Sequence, residues 1–258
     1  MPPAAPRATP PGKGMHPQGS VRTATLTLSA VRQAGSHQTK FVSSLKCFCV
    51  EALTQGAAVA IASAENDAVW GRMPVLERHI VDWDGAYANG ANIAGSDRWP
   101  AAWVEPAQAF RNALSAQGRA RLDISYGDGR RNRLDLFLPS AMPRGLVVFI
   151  HGGYWMAFDK SSWSHLANGA VSSGFAVAMP SYTLCPETRI AGIVEEIGAA
   201  IGKAAEIIDG PLMLTGHSAG GHLASRMVTT TTPLATDVAR RVRQVVSISG
   251  VHDLRPIM

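Results

Sequence analysis

From about Asp82 onward the hydrophobic positions fall into regular patterns. Residues 105–117 (EPAQAFRNALSAQ) predict a helix with Pro106 in its first turn, where a missing N–H sacrifices no helical hydrogen bond. Arg121–Tyr126 and Arg133–Leu138 alternate polar and apolar residues, as half-buried strands do, and Gly127-Asp128-Gly129 between them suits a hairpin connection. Gly145–Ile150 (GLVVFI) is continuously apolar, the sign of a strand buried on both faces. Ser161–Ser173 can be helical, and Phe175–Met179 is a second short apolar strand. Ile190, Ile193, Val194, Ile197, Ala200, Ile201 and Ala204 recur at spacings of three and four, marking one buried helical stripe. Leu212–Thr215 is strand-like, Ser218–Val228 helical, and Gln244–Ser249 a last buried strand. Two antiparallel strands followed by alternating strands and helices predict an α/β fold, a mainly parallel sheet with helices on both faces.

Residues 1–72 lack such patterning. MPPAAPRATPPGKG is rich in Pro and small residues, and Ser, Thr and Gln stay common up to Lys46. Such composition offers little apolar surface to offset the entropy of ordering, so 1–72 is expected to be a low-order extension, little packed against a domain spanning 73–258. Met73 is a plausible natural start. Gly56–Ala64 (GAAVAIASA) lies too far into the chain for a secretion signal, and Glu51 interrupts its approach.

Composition narrows the function classes. Of 258 residues, 46% are hydrophobic and 17% charged, enough to bury a core and too apolar for global disorder. No run of about 18 apolar residues occurs, so no spanning helix is expected. The net charge of +5 sits mostly in residues 1–72, which hold 7 Lys/Arg against 3 Asp/Glu. The remainder shows no basic face for nucleic acid. Cys47, Cys49 and Cys185 form neither a disulfide framework nor a zinc-ligand pattern, so a reducing cytoplasm and no metal are expected.

Two segments carry chemistry. Gly216-His217-Ser218-Ala219-Gly220 is a G-x-S-x-G between an apolar strand and a helix. Small residues on both sides let the chain turn sharply, exposing Ser218 at the carboxyl edge of the sheet. There the Ala219 amide can point at a developing oxyanion. His151-Gly152-Gly153-Tyr154-Trp155 directly follows the buried strand, and its glycines let backbone N–H groups approach a substrate carbonyl. Either segment alone could be a Gly-rich turn. Together, in this order and about 65 residues apart, they point to hydrolase chemistry.

From roughly Asp82 to Met258 the chain resembles the α/β-hydrolase superfamily, specifically its arylformamidase (kynurenine formamidase-like) and esterase branch. The matching pieces are RLDLFLP (133–139), VVFIHGGYW (147–155), the lysine of FDKS (158–161), SYTLCPE (181–187), GHSAGGHLAS (216–225) and SISGVHDLRP (247–256). The resemblance implies Ser218 as nucleophile and Gly152, Gly153 and Ala219 as oxyanion donors. It implies an aryl or acyl pocket flanked by Tyr154 and Trp155, a small-molecule substrate, and neither metal nor organic cofactor. The oligomeric state is left open.

One departure stands out. In this fold the acid and then the histidine follow the serine, yet only 40 residues follow Ser218. His222 lies on the nucleophile helix, His252 is the one histidine beyond it, and none follows Asp253. Asp237 reads as a surface charge. The last strands, the catalytic Asp and the catalytic His are therefore expected beyond Met258, which would leave Gln244–Ser249 as an open edge strand and the 258-residue chain nearly inactive. Three readings follow: an arylformamidase-type hydrolase, a carboxylesterase on the same scaffold, and an inactive fragment or non-catalytic binding module.

Overall fold

A computed structural model describes residues 22–26, as backbone, and 81–255. Its elements are β1 (Arg22–Leu26), α1 (Trp83–Tyr87), α2 (Asn89–Asn92), α3 (Trp99–Ala116), β2 (Ala120–Ser125), β3 (Arg133–Phe137), β4 (Leu146–Ile150), a 3-10 helix (Lys160–Ala167) running into α4 (Asn168–Ser172), β5 (Ala176–Pro180), α5 (Ile190–Ile207), β6 (Leu212–His217), α6 (Ala219–Arg226), α7 (Thr236–Arg241) and β7 (Val242–Ile248). The strands form one sheet in the order β1-β7-β6-β4-β5-β3-β2. The pairs from β1 through β5 are parallel, and β5–β3 and β3–β2 are antiparallel. This is the mainly parallel α/β sheet that the alternation of elements predicts.

The continuous apolar run of β4 is buried on both faces, as expected. Leu146, Val148 and Ile150 join the core beneath α5 and α6, whereas Val147 and Phe149 join a second core beneath α3, the 3-10 helix and α4. The stripe read on α5 is the buried one: Ile193, Val194, Ile197, Ala200, Ile201 and Ala204 all face the first core. Each large aliphatic side chain so buried contributes about 1.5–3 kcal/mol. Gly202 of the same helix has nothing within 4 Å of where a Cβ would stand. Gly202→Ala should therefore raise unfolding free energy by about 1 kcal/mol through helix propensity alone, read from a urea titration. No gain would mean that this stretch of α5 packs more closely than the structure shows.

Three expectations need correction. The helix expected over 105–117 begins at Trp99, with Pro100 in its first turn and Pro106 inside it. Pro106 leaves the Ala102 carbonyl without a helical donor, but both residues are exposed, so water can serve that carbonyl. The helix is held by its other face, where Trp103 lies 4.6 Å from Trp163 and Phe110 lies 5.1 Å from Phe137. The second correction concerns β7, expected to be an open edge. It is covered by β1, which pairs in parallel from Arg22↔Gln244 to Leu26↔Ile248. Arg22–Leu26 thus forms a strand within the segment read as a low-order extension. Its two threonines favour a strand, but five residues do not stand out from the average of a Pro- and Ser-rich stretch. The rest of 1–72, with Cys47, Cys49 and Gly56–Ala64, lies outside the described residues, as does Met73.

The third correction is local. Alternation along β2 is broken by a bulge between Arg121 and Ile124, with Asp123 at φ 57°. The bulge brings the Asp123 amide to Asp135 Oδ1 at 3.0 Å. Asp135 is fully buried, pairs with Arg111 of α3, and receives Lys160 Nζ at 2.9 Å. Lys160 also reaches Asp123 at 2.7 Å, and that hydrogen bond holds the Asp123 carboxyl below the usual carboxylate range. A buried carboxylate is tolerated where it is paired and hydrogen-bonded in this way. The cluster ties the 3-10 helix and α3 to the sheet.

Candidate active site

The register Ile150↔Gly216 sets the carboxyl ends of β4 and β6 side by side. From β4 the chain crosses to β5 on one side, and β6 then lies on the other. This is a topological switch point, the crevice where open α/β sheets bind ligands. The loop after β4 is His151–Trp155 and the turn after β6 is Ser218, so both chemical segments leave the sheet at this crevice.

Ser218 has φ 54° and ψ −118°, a conformation unfavourable for any residue with a Cβ. Its surroundings fix it there. Its amide donates to Ile248 O at 2.9 Å, and its carbonyl accepts from Gly221 and His222 as α6 begins. Ala219 is the first helical residue, so its amide has no intrahelical acceptor. The turn is tight because α6 presses on the end of β4. A Cβ at Gly220 would stand 2.0 Å from Ile150 O, and one at Gly152 would stand 2.8 Å from His217 O and 3.2 Å from Ser218 Cβ. The Gly152 backbone therefore lies directly against the serine. Beyond it the chain stays strained, with Gly153, Tyr154, Trp155 and Phe158 all at positive φ.

The two aromatic residues read as pocket walls part company. Tyr154 is half-buried, whereas Trp155 is 1% exposed and packs edge-on against His222 at 5.4 Å. Trp155 thus sits beneath the loop as core, and Tyr154 alone of the pair presents surface. An aromatic group that the sequence did not signal stands nearby. Trp103, Phe158 and Trp163 pack together, and Trp163 lies 6.2 Å from His217, the residue before the serine.

The histidines and acids are placed as follows. His151 stacks on Tyr182 at 4.3 Å, with Nδ1 2.7 Å from Gly152 O. His252 Nε2 lies 3.0 Å from Ser247 Oγ. The recorded bonds of His151 and His252 thus go to Gly152 O and Ser247 Oγ, not to the Ser218 hydroxyl. Asp253 is exposed and bonded to Arg255, which holds its carboxyl down to about 2, and Asp237 is exposed in the first turn of α7, as expected. No group of three or more His, Cys, Asp or Glu able to hold a metal gathers among the described residues, and no described helix is long and apolar enough to cross a membrane.

Burial lowers His151 from its ordinary 6.5 to about 4; burial, then His252 and Arg226, lower His222 equally. Both stay neutral in the folded protein where the unfolded chain would take a proton. Their contribution to stability is therefore full above pH 6.5 and is lost as pH falls toward 4. Urea midpoints should drop between pH 6.5 and about 5, above the range in which ordinary carboxylates titrate, with these two rings and His217, which burial also lowers, each adding to the slope. His222→Leu should remove about one proton from that slope. A flat profile in both forms would show that these rings are hydrated.

Comparison with known proteins shows what the chain is similar to. The BD-FAE family model matches residues 134–258. A solved structure from Silicibacter sp. tm1040, described as a candidate thioesterase, is 58% identical with a TM-score of 0.65, the match covering 67% of this chain and 65% of that one. By these matches the chain is similar to the α/β-hydrolases of the arylformamidase/esterase branch. The kynurenine formamidase of Danio rerio is 33% identical over 142 residues, which is 53% of this chain and 48% of that protein. The isoprenylcysteine alpha-carbonyl methylesterase of Arabidopsis thaliana is 33% identical over 115 residues, 42% of this chain and 27% of the other. The chain spans about half the length of the curated formamidases it matches.

Proposed function

We propose that the chain carries the nucleophile and oxyanion donors of a serine hydrolase that cleaves an N-formyl aryl amide. The observation behind this reading is the contact between the strained Ser218 turn and the Gly152 backbone at the switch point of the sheet. Ser218 Oγ attacks the formyl carbonyl while the amides of Gly153 and Ala219 bind the oxyanion, and Gly152 shapes the approach. Tyr154 borders the entering group, and Trp155 supports the loop from below. An acyl-serine forms, the amine leaves with a proton, and water releases the acid.

The attack needs a proton acceptor. Neither His222, packed against Trp155, nor His252, bonded to Ser247, is placed on Ser218. The 258-residue chain should therefore turn over near background, and appreciable Ser218-dependent turnover by it would assign the base to one of these two rings. The formamidases among its relatives favour the amide. A small ester is the second reading, favoured by the methylesterase relative and the thioesterase-like neighbour. Both readings place a small-molecule hydrolase in the cytoplasm. Assaying the full-length protein on N-formylkynurenine and on a short-chain aryl ester separates them. Preference for the formyl amide supports the first, cleavage of the ester alone supports the second, and cleavage of neither points to a non-catalytic chain.

A further inference from the structure

The loop from His151 to Lys160 holds three non-glycine residues at positive φ, and such conformations persist only where surrounding structure over-determines them. Three of its carbonyls are held from outside. Tyr182 Oη donates to His151 O at 3.1 Å, the Cys185 amide donates to Trp155 O at 2.8 Å, and Arg131 donates through a terminal nitrogen to Phe158 O at 2.5 Å. The same guanidinium donates through Nε to Tyr182 O at 2.7 Å. One side chain from the β2–β3 turn thus joins the exit of the loop to the 182–185 strap that grips its entry. The Gly152 backbone held between these ties is the one lying against Ser218.

We propose that Arg131 is a positioning residue for the oxyanion loop, its planar fork clamping the Phe158 and Tyr182 carbonyls and so fixing where Gly152 and Gly153 stand relative to the nucleophile. Arg131 acts only through the backbone of the loop and strap. The fork geometry is what the site uses, because two N–H groups in one rigid plane meet two carbonyls at once, and an ammonium is a single point of charge. The catalytic consequence rests on the hydrolase reading above; the clamp itself does not.

Hydrogen exchange on the 258-residue chain tests the clamp directly. The amides of Met156 and Ala157, both bonded to Gly153 O at 2.9 Å, and of Cys185 report whether loop and strap stay closed. Loss of two charge-assisted bonds should speed their exchange by at least about tenfold in Arg131→Met and Arg131→Lys, with α5 amides unchanged. In the full-length protein both variants should lower kcat about ten- to hundredfold with KM nearly constant, as misplaced donors do. Tyr182→Phe should lower kcat by a similar factor, and the double variant should lose less than the product of the two. Unchanged exchange overturns the clamp. Unchanged kcat, or recovery by Arg131→Lys, overturns the positioning role of the fork. If the unsubstituted full-length protein cleaves neither substrate, the hydrolase reading fails, and the exchange result still decides the clamp.

Discussion

Ser218→Ala in the full-length protein should lower kcat/KM by about 10⁴-fold or more on whichever substrate is cleaved. Removing the nucleophile of a serine hydrolase leaves only what binding and the oxyanion donors supply. The structure adds a second, opposite expectation for stability. Ser218 is held at φ 54° and ψ −118° by its bond to Ile248 and by the start of α6. A non-glycine residue in such a conformation costs about 1–3 kcal/mol. Ser218→Gly should therefore abolish turnover as Ala does and raise unfolding free energy by about 1 kcal/mol or more, read from urea titrations of the two variants side by side. Activity within tenfold of the parent in either variant would remove Ser218 from the chemistry. A less stable Gly variant would show that the turn is not strained.

Gly220→Ala should be the most destabilising single methyl that can be added near the site. Its Cβ would lie 2.0 Å from Ile150 O and 2.6 Å from His151 O, both backbone atoms at the end of a central strand. No side-chain rotation relieves that contact, so α6 must move away from β4 and carry Ser218 with it. Overpacking of this kind costs about 3 kcal/mol or more. The cooperative transition should shift sharply or vanish, and hydrolysis should be lost even at low temperature where the variant still folds. Gly202→Ala on α5, with open space at its Cβ, is the matched control expected to move the other way. Equal effects of the two substitutions would contradict the close approach of β4 and α6.

Much of this molecule was legible in the residues. The α5 stripe reports burial through its period of 3.6 and β4 through an unbroken apolar run, and both depend on local geometry alone. The Ser218 turn and the Gly152-Gly153 loop were legible because glycine and alanine are what a crowded strand–helix junction tolerates. Pro106 misled, because a proline is read as a helix start unless the exposure of its freed carbonyl is known. Tyr154 and Trp155 look alike as sequence neighbours, yet consecutive left-handed residues send one toward the surface and the other into the core.

The sequence by itself determined most of the strands and helices from α3 to β7, the two buried faces of β4, and which serine stands at the carboxyl edge of the sheet. These follow from side-chain size and polarity at near positions. Only the tertiary structure decided that β1 covers β7, that Asp135 gathers Arg111 and Lys160, and that Arg131 ties Phe158 to Tyr182. Those partners are distant in the chain, 27 and 51 residues from Arg131. Both are backbone carbonyls, which every residue carries, so side-chain identity at 158 or 182 leaves no mark of the clamp.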